Sequence, residues 1–243
     1  MTRQGESSDA KYTAPGYARV EPRATYAPWT EDQKFLEVNE MIREHTLVDR
    51  YRCFELWQLV DQAMKSGGDL LEVGVWRGGT GALIAARARQ LHLRALDQGR
   101  DDQPRRVFLA DTFSGVVKAG PLDRYYRGGE HGNTSVDQVR TLLASLELHD
   151  VEILQGVFPE DTAARIGENR FCFCHIDVDV YKGARDVTDW VLPRMAPGAI
   201  VVYDDYGFYG CEGVTTFVHE IWERDDLAII HNLNGHAIAV KTG

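Results

Sequence analysis

The sequence predicts an α/β fold with a mostly parallel sheet of seven strands, a C-terminal antiparallel hairpin and an N-terminal helical extension. Short apolar runs alternate with helical patterns through the middle of the 243-residue chain, and such alternation produces parallel strands with helical connections. Two further apolar runs near the C-terminus flank Asn234-Gly235, a dipeptide typical of β-hairpins. Because 44% of the residues are hydrophobic, the chain can bury a full core without disulfides or a structural metal.

Composition and charge exclude several classes of partner. The formal net charge is -10, which argues against nucleic acid or an anionic membrane as the main partner. There is no secretory apolar segment near Met1 and no apolar run near the length of a membrane span. The four cysteines show no zinc-binding spacing. We therefore expect a cytoplasmic protein with reduced cysteines.

The N-terminal region is predicted to contain an arm and two helices. Residues 1–29 are polar and rich in proline, as in a flexible arm, and residues 30–243 form the folded domain. Thr30 is a candidate N-cap for a helix that carries Phe35 and Ile42, and a second helix ends at Gly67-Gly68. The two helices, over residues 30–66, would form an extension or lid.

The remaining elements follow from changes of periodicity. Five strands are predicted at residues 69–75, 106–111, 151–156, 171–178 and 199–204, and the hairpin strands at 227–231 and 237–240. Helices are predicted from Thr80 to about Leu91, from a cap at Thr134 or Ser135 through Leu146, and over residues 185–195 and 213–224.

A glycine-rich turn from Glu72 to Gly81 follows the first strand. In doubly wound sheets ligands bind beyond the carboxyl ends of the strands, so this turn is a candidate cofactor site. Gly74 lacks a Cβ and lets a ligand approach the backbone. The next glycines are Gly78 and Gly79, which is not the GxGxxG spacing of dinucleotide-binding proteins. An acidic residue such as Glu72 suits a ligand with cationic groups, such as S-adenosylmethionine.

Two other strand ends complete the predicted cofactor pocket. Asp111 ends the second strand, from which its carboxylate can accept hydrogen bonds from ribose hydroxyls, in NAD as well as in S-adenosylmethionine. A turn cap is the alternative role for Asp111. Gln155 and Gly156 end the third strand and would border the adenine.

Acidic residues follow the fourth and fifth strands. Asp177 and Asp179 follow one strand, and Asp204 and Asp205 follow the other, so the carboxylates should converge at one edge of the sheet. Carboxylates that close repel one another unless they are protonated, paired or metal-bound. Hard oxygen ligands suit Mg²⁺ or Ca²⁺, and a divalent ion can lower the pKa of an acceptor hydroxyl and orient it for in-line attack. Acidic caps at the protein surface are the alternative.

Asp177 is the candidate for both metal ligand and proton acceptor, whereas the role of Asp179 stays open. His131, in a glycine-rich segment, is a second candidate for general base or substrate contact. A solvent-exposed loop histidine is the equally acceptable alternative for His131.

Four segments together resemble the macrocin O-methyltransferase family, whose members methylate sugar hydroxyls of natural products. The resemblance covers roughly Met41 to Phe217, and its most specific parts are residues 71–80, 110–115, 175–181 and 202–207 with Cys211. It implies the Rossmann-like fold of class I S-adenosylmethionine-dependent methyltransferases. It also implies S-adenosylmethionine and Mg²⁺ as cofactors, and a sugar or glycoside acceptor in antibiotic biosynthesis.

The resemblance extends to individual positions. Asp177, Asp204 and Asp205 match the metal-binding acids of the family, Asp177 also matches its proposed base, and Asp111 matches its ribose ligand. The full set of predicted cofactor contacts is Glu72, Gly74, Val75, Trp76, Gly79, Thr80, Asp111, Thr112, Phe113, Gln155, Gly156 and Asp177.

Two segments depart from the family pattern. After Tyr181 the family commonly has an acidic residue and Ser-Thr, where this chain has Lys182-Gly183-Ala184. Residues 116–134 also look specific to a subset of the family. Since both segments lie near the expected acceptor pocket, the sequence leaves the acceptor open.

The leading hypothesis is Mg²⁺-dependent methylation of a sugar hydroxyl, on a glycosylated natural product or on its nucleotide-sugar precursor. The alternatives are a catechol- or phenol-type O-methyltransferase, an NAD-dependent oxidoreductase and a non-catalytic S-adenosylmethionine-binding scaffold. The glycine spacing and the terminal hairpin count against the oxidoreductase. We also expect a homodimer or a higher homo-oligomer, by resemblance.

Overall fold

The computed structural model describes residues 10–21, 23–100 and 103–243. The part of the predicted arm at residues 1–9 and at Pro22 lies outside these residues. The helices are α1 (Ala10–Thr13), α2 (Gln33–Ile42), α3 (Arg50–Ala63), α4 (Gly79–Asp97), α5 (Val136–Ser145), α6 (Tyr181–Val191) and α7 (Glu212–Glu220). Short 3₁₀ turns cover Pro28–Thr30, Ala163–Ile166 and Leu192–Arg194.

The seven strands form one sheet. They are β1 (Asp69–Val73), β2 (Val107–Asp111), β3 (Val151–Gln155), β4 (Phe171–Ile176), β5 (Met195–Tyr203), β6 (Leu227–His231) and β7 (Ala237–Lys241), in the spatial order β3-β2-β1-β4-β5-β7-β6. Strands β1 to β5 pair in parallel, and β7 is antiparallel to both β5 and β6. The predicted parallel sheet with an antiparallel C-terminal hairpin is confirmed.

Strand order reverses between β1 and β4, and this reversal places the site. The chain runs outward from β1 through β2 to β3 and then returns to the other side of β1 as β4. Val73 is paired with Ile176, and Ile176 with Tyr203. The residues that follow β1, β4 and β5 therefore emerge side by side at one edge of the sheet.

Helices cover both faces of the sheet because alternate strand residues point to opposite sides. One core contains Leu70 and Phe173 with buried residues of α2, α3, α4 and α5. The other contains Leu71 and Cys174 with buried residues of α6 and α7. Since α2 and α3 contribute to the first core, the helical extension packs as part of the domain. The prediction that it also acts as a lid stays a prediction.

Several predicted boundaries were wrong. Asp32, rather than Thr30, caps α2, because its Oδ1 accepts a hydrogen bond from the Phe35 N–H at 3.0 Å. Helix α4 continues to Asp97, beyond Leu91, because Ala95 is again buried against the domain. Helix α6 begins at Tyr181 and ends at Val191, four residues earlier than predicted at each end. Gly183 lies in the first turn of this helix, where a Cβ would lie 2.9 Å from Cγ2 of Val178.

Among the described residues, no helix combines the length and the apolar composition that crossing a bilayer requires.

Candidate active site

Gly74 is required where the first strand ends. Its φ is +91°, and a Cβ built on it would lie 1.6 Å from the carbonyl oxygen of Asp177. The Gly74 N–H donates to the carbonyl of Ala110 at 2.9 Å, and the Asp177 N–H donates to that of Val73 at 2.9 Å. The backbones that follow β1 and β4 therefore approach each other at a distance that only glycine permits.

Asp111 holds the turn in place. Its Oδ2 accepts the backbone N–H groups of Val75 at 2.7 Å and Trp76 at 2.8 Å, while Oδ1 accepts that of Phe113 at 2.6 Å. A carboxylate has about four lone-pair positions, so capacity remains for a ligand hydroxyl. The expected turn cap and the expected ribose ligand are thus compatible roles for one side chain.

A cavity of about 310 Å³ lies between this turn and the residues that follow β4 and β5. The predicted site residues that line it are Gly74, Val75, Trp76, Thr80, Asp111, Thr112, His131, Gly156, Asp177, Asp204 and Asp205. The structure therefore brings together the glycine turn, the expected ribose ligand and the acidic cluster.

Four predicted cofactor contacts do not line the cavity. Glu72 is fully buried beneath it, where Oε1 lies 2.8 Å from Nδ1 of His175. The Gly79 N–H donates to the carbonyl of His45 at 2.9 Å, so this amide is already hydrogen-bonded to the helical extension. Phe113 packs in the core, and Gln155 is exposed at the end of β3.

The three predicted metal ligands converge. Asp177, Asp204 and Asp205 each place one carboxylate oxygen within 4.8 Å of the others. Burial raises the pKa of Asp177 and of Asp205 well above the usual range, and neighbouring carboxylates raise both further. Oδ2 of Asp205 is buried without a hydrogen-bond partner among the described residues. Carboxylates that lie this close together without a cation of their own fit a divalent metal ion.

Asp204 differs from the other two acids because it has cationic neighbours. Nη1 of Arg52 lies 2.6 and 2.7 Å from its two oxygens, and Nε2 of His236 lies 2.9 Å from Oδ1. Although burial opposes the charge of Asp204, contact with His236 and Arg52 holds its pKa well below the usual range.

The segment 116–134 closes one side of the cavity. His131 lines the cavity with φ of +60°, and its ring centroid lies 6.0 Å from that of Tyr126. Tyr126 donates a 2.5 Å hydrogen bond to Oδ1 of Asp179, which also lines the cavity. The structure thus places His131 beside the acids, whereas its role as a base stays a prediction.

The sequence did not reveal Arg52, Tyr126 or Phe208 as cavity residues. Arg52 contacts an acid 152 positions later, and no local pattern encodes such a pair. Phe208 lies three positions after Asp205 and, with 39% exposure, is one of the large apolar side chains that remain exposed to solvent. An aromatic residue three positions after a strand-end acid pair was the one available signal.

The strand order, the antiparallel hairpin and the cleft at the point of reversal define a class I S-adenosylmethionine-dependent methyltransferase fold. The structure of the O-methyltransferase NovP has a TM-score of 0.66, with 25% identity over 82% of this chain and 83% of that one. Calicheamicin methyltransferase CalS11 shares the fold, with a TM-score of 0.66 and 16% identity over 93% of this chain and 99% of that one.

The chain belongs to the macrocin O-methyltransferase (TylF) family, whose model matches residues 23–234. The 8-demethyl-8-(2,3-dimethoxy-α-L-rhamnosyl)-tetracenomycin-C 4'-O-methyltransferase of Streptomyces olivaceus is 33% identical over 69% of this chain and 64% of its own length. The mycinamicin III 3''-O-methyltransferase of Micromonospora griseorubida is 31% identical over 76% of this chain and 72% of its own length. The predicted membership of this family of O-methyltransferases is confirmed.

Proposed function

We propose that this protein transfers the methyl group of S-adenosylmethionine to a sugar hydroxyl, with Mg²⁺ held by Asp177, Asp204 and Asp205. The acceptor would be a glycosylated natural product or its nucleotide-sugar precursor. The convergence of these three carboxylates beside the glycine turn, within one cavity, is the observation that carries the proposal. The names of the two relatives, which act on a rhamnosylated tetracenomycin and on mycinamicin III, support this class of acceptor.

Different parts of the cavity would bind the methyl donor and the acceptor hydroxyl. Asp111 and the turn from Gly74 to Trp76 would bind the adenosine part of the methyl donor. Mg²⁺, when bound, would act as a Lewis acid that lowers the pKa of the acceptor hydroxyl and orients it. The acceptor oxygen would then attack the methyl carbon opposite the sulfur, so that the new O–C bond forms as the C–S bond breaks.

Asp177 or His131 would receive the hydroxyl proton. Both side chains line the cavity, and a carboxylate or an imidazole can accept a proton from a hydroxyl that binds there. Asp177→Asn should abolish turnover, because it removes both a proposed metal ligand and a candidate proton acceptor. His131→Gln should lower turnover by about 10²-fold or more if His131 is the base, and by much less if it only contacts the acceptor.

A panel of acceptors tests the proposal. The purified protein would be incubated with S-adenosylmethionine, Mg²⁺ and either a rhamnosylated tetracenomycin, mycinamicin III, TDP-rhamnose or a simple catechol, and methylated products measured by mass spectrometry. We expect a product with at least one sugar, complete loss of activity in EDTA and recovery on adding Mg²⁺. Full activity in EDTA would contradict the metal role. Methylation of the catechol alone would favour the phenol-type alternative.

Assembly and location follow from resemblance and composition alone. We propose a homo-oligomer in the cytoplasm, and size-exclusion chromatography with light scattering tests the first part. An elution mass near that of one 27.4 kDa chain would contradict it.

A further inference from the structure

We propose that His236 and Arg52 are positioning residues that hold the Asp204 carboxylate in place for the metal site. The inference rests on the proposed function, because it assigns these two side chains to the same site. His236 lies just beyond residues 23–234, where the family model matches, so the match does not extend to it.

Strand register places His236 beside Asp204. Strand β7 runs antiparallel to β5, and Ala237 at the start of β7 is paired with Tyr203 at the end of β5. The residue before Ala237 and the residue after Tyr203 therefore meet at the edge of the sheet. Both are enclosed, with His236 at 0% and Asp204 at 3% exposure, and Nε2 of His236 lies 2.9 Å from Oδ1 of Asp204.

The other side of the imidazole ring is fixed as well. Nδ1 of His236 lies 2.6 Å from Oε2 of Glu55, on helix α3. A ring held by a carboxylate at Nδ1 presents Nε2 in one orientation, the arrangement by which proteins orient histidines around metal sites. Here the oriented nitrogen meets an acidic residue of the metal site.

Arg52 holds Asp204 from the direction of helix α3. Arg52 and Glu55 are three residues apart and therefore share one face of that helix. The Arg52 guanidinium contacts both Asp204 oxygens, and its Nε donates to Oδ2 of Asp49 at 2.8 Å. The guanidinium also stacks on the ring of Phe208, 4.7 Å from the centroid.

The hairpin turn is tied to the same helix. Glu55 accepts hydrogen bonds from the side-chain amides of Asn234, at 3.0 Å, and Asn232. Gly235 packs against Phe208 so closely that a Cβ would lie 2.1 Å from its ring. The contact between helix α3 and the C-terminal hairpin thus sets the position of Asp204.

Asp204 has two partners that Asp177 and Asp205 lack, and the charges of the three carboxylates explain this difference. Asp177 and Asp205 make no ion pair within 4.0 Å among the described residues and so remain open to a cation. Asp204 has two positively charged or chargeable neighbours, which offset the cost of keeping a third carboxylate in the same enclosed space. We infer that Arg52 and His236 keep the cluster assembled before the metal ion binds.

Three variants test the inference in the full-length protein. His236→Gln removes the ring, Glu55→Gln removes the carboxylate that orients it, and Arg52→Lys keeps the charge but loses the guanidinium contacts. Each is compared with wild type for Mn²⁺ affinity, measured by electron paramagnetic resonance with S-adenosylhomocysteine present, and for kcat at saturating Mg²⁺. His219→Gln is the matched control, since His219 pairs with Tyr206 at 2.8 Å and lies outside this network.

We expect the three variants to weaken Mn²⁺ binding or lower kcat by about 10–100-fold, the usual effect of losing a residue that orients a metal ligand. Affinity for S-adenosylhomocysteine should stay within about twofold of wild type, and His219→Gln should match wild type throughout. If His236→Gln does not fold, the partly exposed Glu55 provides the decisive variant.

Two negative results are distinguishable. If wild type binds Mn²⁺ and the folded variants match it within about threefold in affinity and kcat, the positioning role is wrong and the proposed function stands. If wild type itself binds no Mn²⁺, the metal part of the proposed function fails and the positioning role fails with it.

Discussion

Gly74 is the residue on which the geometry of the site depends most directly. Its positive φ would strain any other residue, and the carbonyl of Asp177 occupies the place of a side chain. The close approach of the Asp177 carbonyl restricts this position more strongly than the positive φ does. A residue with positive φ costs about 1–2 kcal/mol, whereas a Cβ at 1.6 Å from a backbone atom requires β1 and β4 to separate.

We therefore predict that Gly74→Ala destabilises the protein far more than Gly129→Ala. Gly129 has nearly the same φ, +90°, but a Cβ there would meet nothing within 4 Å. We expect a loss of about 1–2 kcal/mol of unfolding free energy for Gly129→Ala and at least several kcal/mol, or failure to fold, for Gly74→Ala. Urea unfolding followed by circular dichroism measures both. Equal losses would show that strain alone, rather than the close approach of Asp177, restricts this position to glycine.

At the scale of secondary-structure elements, one side chain joins the two helices of the N-terminal extension. Asp32 caps α2 through Oδ1, and its Oδ2 accepts a 3.0 Å hydrogen bond from Nε1 of Trp57 on α3. Trp57 is fully buried, so its indole N–H has no water to replace this partner. The cap and the packing of α3 on α2 thus depend on the same carboxylate.

Asp32→Ala should cost about 2–4 kcal/mol, because it removes a helix cap and leaves a buried donor unpaired. Thr30→Ala is the matched control, since the Thr30 hydroxyl is exposed and donates, within the described part of the chain, only to the carbonyl of Ala27. We expect less than about 1 kcal/mol for that change. Thermal unfolding of the two variants measures the difference, and a larger effect at Thr30 would restore it as the functional cap.

The C-terminal hairpin carries a pH-dependent contribution to stability. Asp226, just before β6, accepts hydrogen bonds from Arg224 at 2.9 Å and from Lys241 of β7 at 3.2 Å. These partners, Arg224 first, lower its pKa from the usual 3.8 to about 2. Because the folded-state pKa is the lower one, the contribution is complete above about pH 4 and disappears as the pH falls toward 2.

Wild type should therefore exceed Asp226→Asn in unfolding free energy by a constant amount between pH 5 and 8. The amount should be below about 1 kcal/mol, because the carboxylate is 34% exposed and solvent screens the pair. Urea titrations between pH 2.5 and 8 measure the difference, which should shrink on acidification. Asp225→Asn, at the exposed neighbouring residue, is the control. A difference that grows at low pH would contradict the assignment.

At the scale of the whole molecule, the sequence predicted what depends on chain order and periodicity. Strands β1 to β5 are apolar runs that alternate with helical patterns, so the parallel sheet and the convergence of Asp177, Asp204 and Asp205 at one edge could be predicted. Contacts that depend on packing could not be predicted this way. Glu72 was expected near the cofactor, but β1 and β4 pair Glu72 with His175 below the cavity. Arg52 reaches Asp204 only because α3 packs beside the end of β5.

The whole fold should also discriminate between nucleotide ligands. A dinucleotide needs the amides at the start of the helix after β1 for its pyrophosphate. Here Gly78 precedes α4 with φ of +89°, and the Gly79 N–H is already bonded to the carbonyl of His45. Asp111 and the cavity beside Gly74 still offer a site for one adenosine. The prediction is selective binding of S-adenosylhomocysteine over NAD.

Thermal unfolding with each ligand tests that selectivity. A ligand at 100 times its Kd stabilises the folded state by about 2.7 kcal/mol, and each kcal/mol raises the Tm of a chain of this size by about 2–4 °C. We therefore expect S-adenosylhomocysteine to raise the Tm by roughly 5–10 °C and NAD to leave it unchanged at the same concentration. Asp111→Asn, which removes the charge that holds the turn, should abolish most of the shift. An equal shift with NAD would mean that the α4 amides are free to bind phosphate, because the contact between Gly79 and His45 opens in solution.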